Sequence, residues 1–403
     1  MKKKILTSLL VAASLIGVTS CGNEEEIVSS SSESSQALAS SDYSINIYDV
    51  DGLLLNSYTF DANSEKSAYE LLLENADVEV DGTFINSVDS SFFEYGYYLA
   101  VTVNDEYSNV GFNEIDAKAG DVIDLKVTCW NTALSDDDIK LDIALHQYVR
   151  DYLKDSIKDD SLSDAMSDYW TYAGLKFIDE LDVNGVNTSL KSEVEAYDLS
   201  NLNGTDYFKY YSVASAVGAD LTAFKTAYTA YLDTISTEYS ELQTPFLIAP
   251  AKELDIKSTK INTLLDSSAP DLKGSYVWEE VTYEYINDGY FWYYILESLY
   301  GNNPSDTILS TIANLDYEGN GATLSLAIAT FAAANERIVD AKYYENNNET
   351  LLKQMISLYD EDLNLIKYSQ YDTGVNMSTN QIYTNLFAYK MSRNGNKSKN
   401  IFA

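Results

Sequence analysis

"YYLAVTVNDEYSNVGFNEIDAKAGDVIDLKV", residues Tyr97–Val127, holds two apolar runs separated by turn-forming residues. The first run ends at Asn104, and the second opens just after Gly120–Asp121. Asn and Gly tolerate the left-handed backbone of tight turns, and the β-branched residues on either side favour extended chain. Two strands are therefore expected here, the second alternating imperfectly at Val122, Leu125 and Val127. Upstream, "YSINIYDVDGLLLNSYTF" (Tyr43–Phe60) places two apolar runs around "DVDG", a hairpin signal. The rest of a calcium-binding loop is absent around that Asp-x-Asp-Gly, so a turn is expected. Between the two stretches, "SEKSAYELLLENA" has a capping serine and apolar Ala68, Leu71 and Leu72 at helical spacing. Residues 44–130 thus read as a small, mainly antiparallel β domain with one helix.

From 136 to 403 the pattern turns helical. Leu141, Leu145, Tyr148, Val149 and Tyr152 share one face, as do Ala165, Tyr169, Trp170, Ala173 and Phe177. Ser163–Asp164 and Asp220 stand where caps belong. Pro245, Pro250, Pro270 and Pro304 are expected between helices. The expected class is a two-domain α+β protein, the second domain all-α.

The N-terminus has its own logic. Lys2, Lys3 and Lys4 precede the apolar run "ILTSLLVAASLIGV", then small Thr19 and Ser20, then Cys21. This is the layout of a secretory signal over residues 1–20. "VTSC" resembles the lipobox of bacterial lipoproteins, which implies diacylglycerol on Cys21 and attachment to the extracytoplasmic face of a membrane. Residues 21–43 are rich in Ser and Glu and read as a flexible tether.

Composition narrows the partners. There are 26 Lys+Arg against 63 Asp+Glu, a net charge of −37. Nucleic acid is excluded as an expected partner, because phosphate binding needs clustered cations. The leader takes three of the lysines, so the lipid must supply the anchorage. With Cys21 acylated, one histidine, His146, and one remaining cysteine, Cys129, cannot build a Cys/His zinc site. His146 is expected at or near the surface of a helix and Cys129 as a buried strand thiol. The 34 tyrosines suit either an aromatic core or a surface that grips by stacking and hydrogen bonds.

Two family resemblances follow from these stretches. The "SAYELLL" helix and the Tyr97–Val127 block, with Asn104 at one turn and Gly120–Asp121 at the other, resemble the transcobalamin-like C-terminal domain. Leu99 or Val101 stands where that family carries a tryptophan. "TDYFKYYSVASAVGADLTAF", "DGYFWYYILESLYG", "GATLSLAIATFAAANERI" and above all "TNQIYTNLFAYKMSRNG" (Thr379–Gly395) resemble the repeats of the prenyltransferase and squalene-cyclase-like α/α toroid. Together the resemblances imply a binding protein that holds a cobalamin-like corrinoid between β domain and helical toroid, and no other cofactor. Catalysis is not expected: the zinc ligands of prenyltransferases are missing. "SDDDIK" (Ser135–Lys140), the nearest string to the cyclase acid motif, reads as an acidic helix start.

The residues expected to touch such a ligand are Tyr169, Trp170, Tyr290, Trp292, Tyr293, Tyr371 and Asn376. The same aromatics at helical spacing also fit a packed core. A second reading is a cell-surface adhesion module that binds protein or glycan and no small ligand. An aromatic-lined gap between the halves would favour capture. A filled junction with an exposed aromatic strip would favour adhesion.

Overall fold

The computed structural model describes residues 41–92, 94, 96–157, 160–178, 187–345, 348–369, 374–395 and 400–402. Cys21, the leader and nearly all of the tether lie outside them, as does Tyr371. The architecture is mixed α+β. No helix among the described residues is long and apolar enough to cross a membrane.

Residues 42–129 form strands β1 (Asp42–Tyr48), β2 (Leu54–Asp61), β3 (Val78–Asp81), β4 (Phe84–Val88), β5 (Tyr97–Val103), β6 (Glu106–Tyr107) and β7 (Val122–Cys129), with helix α1 (Ala68–Asn75) after β2. Five of them make one sheet in the order β2-β1-β7-β5-β6. β1 runs parallel to β7, while the other pairings are antiparallel. Alternation decides which face is buried. Ile45 and Ile47 sit beside Ile123 and Leu125, and Leu125 beside Val101, so one face is apolar and receives Ala68 and Leu72 of α1. The buried alternation in β7 is Ile123–Leu125–Val127; Val122 points the other way and is exposed. Cys129 is half-buried rather than buried.

Helix α1 starts at Ser67, whose hydroxyl accepts from Glu70 N–H while the Glu70 carboxylate accepts from Ser67 N–H. The two turns singled out in the sequence meet in space. Asn104 and Asp105 both have positive φ, as the tight β5–β6 turn requires. Asn104 Nδ2 donates to Asp121 Oδ1 at 2.9 Å, and Val122 N–H donates to Asn104 Oδ1 at 2.9 Å.

The rest is helical apart from two small ribbons. Its helices are α2 (Asp136–Tyr148), α3 (Lys154–Ser156), α4 (Leu162–Ser167), α5 (Tyr169–Leu175), α6 (Asn187–Ala196), α7 (Asp206–Ala216), α8 (Thr222–Leu232), α9 (Thr244–Glu253) and α10 (Thr259–Leu265). After the hairpin β8 (Lys273–Trp278) and β9 (Val281–Ile286) come α11 (Asp288–Leu299), α12 (Asp306–Ala313), α13 (Gly321–Ala334) and α14 (Leu351–Ile356). The short pair β10 (Tyr359–Asp360) and β11 (Leu365–Ile366) precedes α15 (Met377–Arg393). Alternate helices pack in succession: α5 on α7, α7 on α9, α9 on α11, α11 on α13, α13 on α15, and α15 back on α5. Helix α13 is buried almost all round, which explains why its sequence, "GATLSLAIATFAAA", shows no polar stripe. Gly174 permits a close approach of α5 to α15, since a Cβ there would lie 2.8 Å from Thr384 Oγ1.

Several expectations need correction. The run from Ala165 to Phe177 is two helices, broken at Asp168, whose φ of −107° and ψ of 38° leave the helical region. Ser161, not Ser163, caps α4. Asp220 accepts from Thr222 N–H, but the residue flanking α8 is Leu221. Pro245 and Pro250 lie within α9. Pro245 occupies the first turn, where a missing N–H is harmless; Pro250 gives up one ladder hydrogen bond. The helical stretch is also interrupted by β8–β9, which no helical reading of 136–403 contained.

Candidate functional site

Two of the expected contact residues come together at the centre of the helices. Trp170 of α5 stacks on Trp292 of α11, centroids 5.6 Å apart and planes within 13°. Phe208 of α7 and Phe246 of α9 pack edge-on against Trp170. Phe402 closes the cluster, touching Phe208, Phe246 and Trp292 at 5.5 to 5.6 Å. Its segment is latched: Asn400 Nδ2 donates to Ile295 O at 2.6 Å, and Lys176 Nζ to Ile401 O at 2.8 Å. These rings fill the space between the helices with the chain's own side chains.

The other expected residues scatter. Tyr169 is half-buried beside Trp170 and lines an open hollow of about 730 Å³ with Asp198, Lys209 and Met377. Tyr290 packs edge-on against Tyr294 at 4.9 Å. Tyr293 O–H donates to Ser267 O at 2.8 Å; burial and then nearby Glu297 push its phenol up to about 12. Asn376 caps α15, accepting from Ser378 and Thr379 N–H.

The junction between sheet and helices is filled by charge. Asp49, from the β1–β2 turn, has a fully buried side chain. It accepts from Phe92 N–H at 2.9 Å, meets His146 Nε2 at 2.6 Å and receives Arg150 Nη1 at 3.1 Å. Burial opposes its ionisation, but the hydrogen bond and charge of His146 and the N–H groups of Phe92 and Val50 outweigh it and hold the carboxyl down at about 2. Arg150 also reaches Asp51 at 3.0 Å. Deeper in, Arg393 grips Asp142 with Nη2 at 2.7 and 2.9 Å and Asp138 with Nη1 at 3.2 Å. Tyr97 O–H donates to Asp142 at 2.9 Å, and Lys390 pairs with Glu94 at 2.5 Å. "SDDDIK" is accordingly a helix start: Ser135 and Asp138 form a capping box, and Asp138 also receives Arg393. Among the described residues no group of three His, Cys, Asp or Glu is placed to hold a metal ion.

The aromatic surface lies elsewhere. In the β8–β9 hairpin Tyr276 opposes Tyr283, Gly274 opposes Tyr285 and Trp278 opposes Val281. One face therefore carries Tyr276, Trp278, Val281, Tyr283 and Tyr285, each between 40% and 62% exposed. Tyr276 stacks on Tyr283 at 5.3 Å with planes at 17°, Trp278 extends the row beyond Tyr283, and Tyr285 continues it over Gly274. A Cβ at Gly274 would collide with the Tyr285 ring, so glycine is what lets that ring lie flat on the ribbon. The tip is Glu279–Glu280, with φ of 48° and 65°. A two-residue turn of this hand ordinarily takes Asn-Gly. At the base, Glu284, Tyr285, Asp316, Tyr317 and Glu318 help to line a hollow of about 530 Å³. The sequence reading missed these residues; their signal was the alternation of Tyr276, Trp278, Tyr283 and Tyr285.

No protein-family model matches the chain, and no curated protein or solved structure does.

Proposed function

We propose that this protein is a lipid-tethered surface interaction module that docks a macromolecule on the aromatic face of its β8–β9 hairpin. The observation that carries the reading is that exposed row of Trp278, Tyr283, Tyr276 and Tyr285. Contiguous exposed rings are costly to leave in water and mark interaction surfaces. Tyr and Trp supply large rigid contact area and a polar edge. The charge-filled junction and the closed aromatic centre support the same reading, since side chains occupy both. In this reading Cys21 carries the lipid, the Ser/Glu-rich stretch is the tether, and the head lies outside the membrane. The β part is transcobalamin-like and the helical part α/α toroid-like; the succession of helix contacts that returns from α15 to α5 supports the latter. No catalytic residue is assigned.

The test uses the soluble head, residues 22–403, immobilised and exposed to peptide and glycan panels, beside the variant Y276S/W278S/Y283S. Binding that the triple variant loses is the expected result. Binding that it retains sinks the hairpin as the docking face. Small-ligand capture remains as a second reading, favoured by the hollow beside Tyr169. Co-elution of a corrinoid's colour with the folded head in gel filtration is its signature.

A further inference from the structure

We propose that the occupant of the hairpin is a basic polypeptide segment whose Arg and Lys side chains lie across Tyr276, Tyr283 and Trp278. This rests on the docking reading above and names the partner's chemistry. Charge complementarity selects it. The tip of that face carries exposed Glu279 and Glu280, and Glu284 stands exposed on the ribbon's other side, where it helps to line the adjoining hollow. The adjoining hollow adds exposed Asp316 and Glu318. Lys273 is the one cation in that lining, and none of the five carboxylates is ion-paired with a described residue. Aromatic faces with carboxylates at their edges bind guanidinium and ammonium groups twice over, by cation–π attraction and by charge-assisted hydrogen bonds. An anionic glycan or lipid surface meets repulsion on the same ground.

The tip adds a separate argument. L-residues other than Asn, Asp and Gly adopt left-handed backbone at a conformational cost, and here two glutamates do so in succession. Two like charges side by side add repulsion. A turn that sacrifices local stability to keep two carboxylates beside Trp278 is the kind of outlier that points to a binding role.

The experiment titrates the head, residues 22–403, into a fluorescent dodecapeptide of alternating Arg and Gly, its Glu–Gly counterpart, and a neutral β-glucan oligosaccharide, at low and physiological salt. The expected result is saturable binding of the basic peptide alone. Y276S/W278S/Y283S, which leaves the charge untouched, should weaken it at least about tenfold. E279N/E280G should weaken it severalfold and flatten its salt dependence, while Trp130→Ser, an exposed tryptophan outside the hairpin, should leave it unchanged. Circular dichroism checks that each variant is folded. Equal binding of the basic peptide by the aromatic variant means diffuse acidity only and overturns the proposal. Oligosaccharide binding that the aromatic variant loses overturns the basic occupant but keeps the hairpin as docking face. If neither probe binds in a hairpin-dependent way while the broader panels do, the occupant falls alone; if those panels are also blind to the hairpin, both readings fall.

Discussion

The junction and the hairpin invert each other. In the junction, charged groups are buried: the side chains of Arg393, Asp138 and Asp142 are 2%, 1% and 1% exposed. On the hairpin, aromatic rings are left in water. Arg150, Arg337 and Arg393 are the chain's only arginines, and each is paired with an aspartate at or beside the junction. The scarce arginines thus face the junction's carboxylates, where an unpaired carboxylate would be most costly. What remains on the hairpin is acidic and apolar at once. Composition alone shows a net acidic chain; position divides it into a closed seam and an open face.

The comparison breaks most clearly at Arg393. Arg393→Met strands Asp142 and Asp138 without their shared partner, and should cost about 3 to 5 kcal/mol in urea unfolding. A change below about 1 kcal/mol would mean that the seam is held by Tyr97 and the apolar contacts instead. The next effect is acid sensitivity. The folded carboxyl of Asp49 titrates below its unfolded value, so its contribution is complete above about pH 4 and disappears as pH falls through about 2. It amounts to about 2 kcal/mol. Asp49→Asn should remove that step from the stability–pH curve and lower stability at neutral pH; an unchanged acid limb would place the sensitivity in other carboxylates. The smallest effect belongs to the hairpin. E279N/E280G should stabilise the ribbon by about 1 kcal/mol or less, read as slower hydrogen exchange of β8 and β9 amides. Faster exchange would mean that the glutamates make contacts of their own at the tip.

The β part was largely legible, because its signals are local. "DVDG" turns, the serine before Ala68 caps, and Asn104 and Gly120 take the left-handed backbone that their types allow. The partners of those turns were not legible: nothing near Asp49 in sequence announces His146 or Arg150. In the helical part, Trp170 and Trp292 were expected as ligand contacts or as core, and their spacing cannot distinguish a lined cavity from a packed one. Phe402, from a distant segment, is what fills the space. The hairpin was overlooked for a physical reason. Its tip lacks Gly, Asn or Pro, so alternating aromatics ran through Glu279–Glu280 with no break to mark two strands.

Among the described residues the β8–β9 ribbon pairs with no further strand, which leaves its outer edges available to one. An aromatic, two-edged ribbon is a template for copies of itself. Glu279, Glu280 and Glu284 put like charge on every copy and keep two heads from zipping together edge to edge. If the head is tethered to a membrane as proposed, neighbouring copies meet at high local concentration, and that like charge is what holds their ribbons apart.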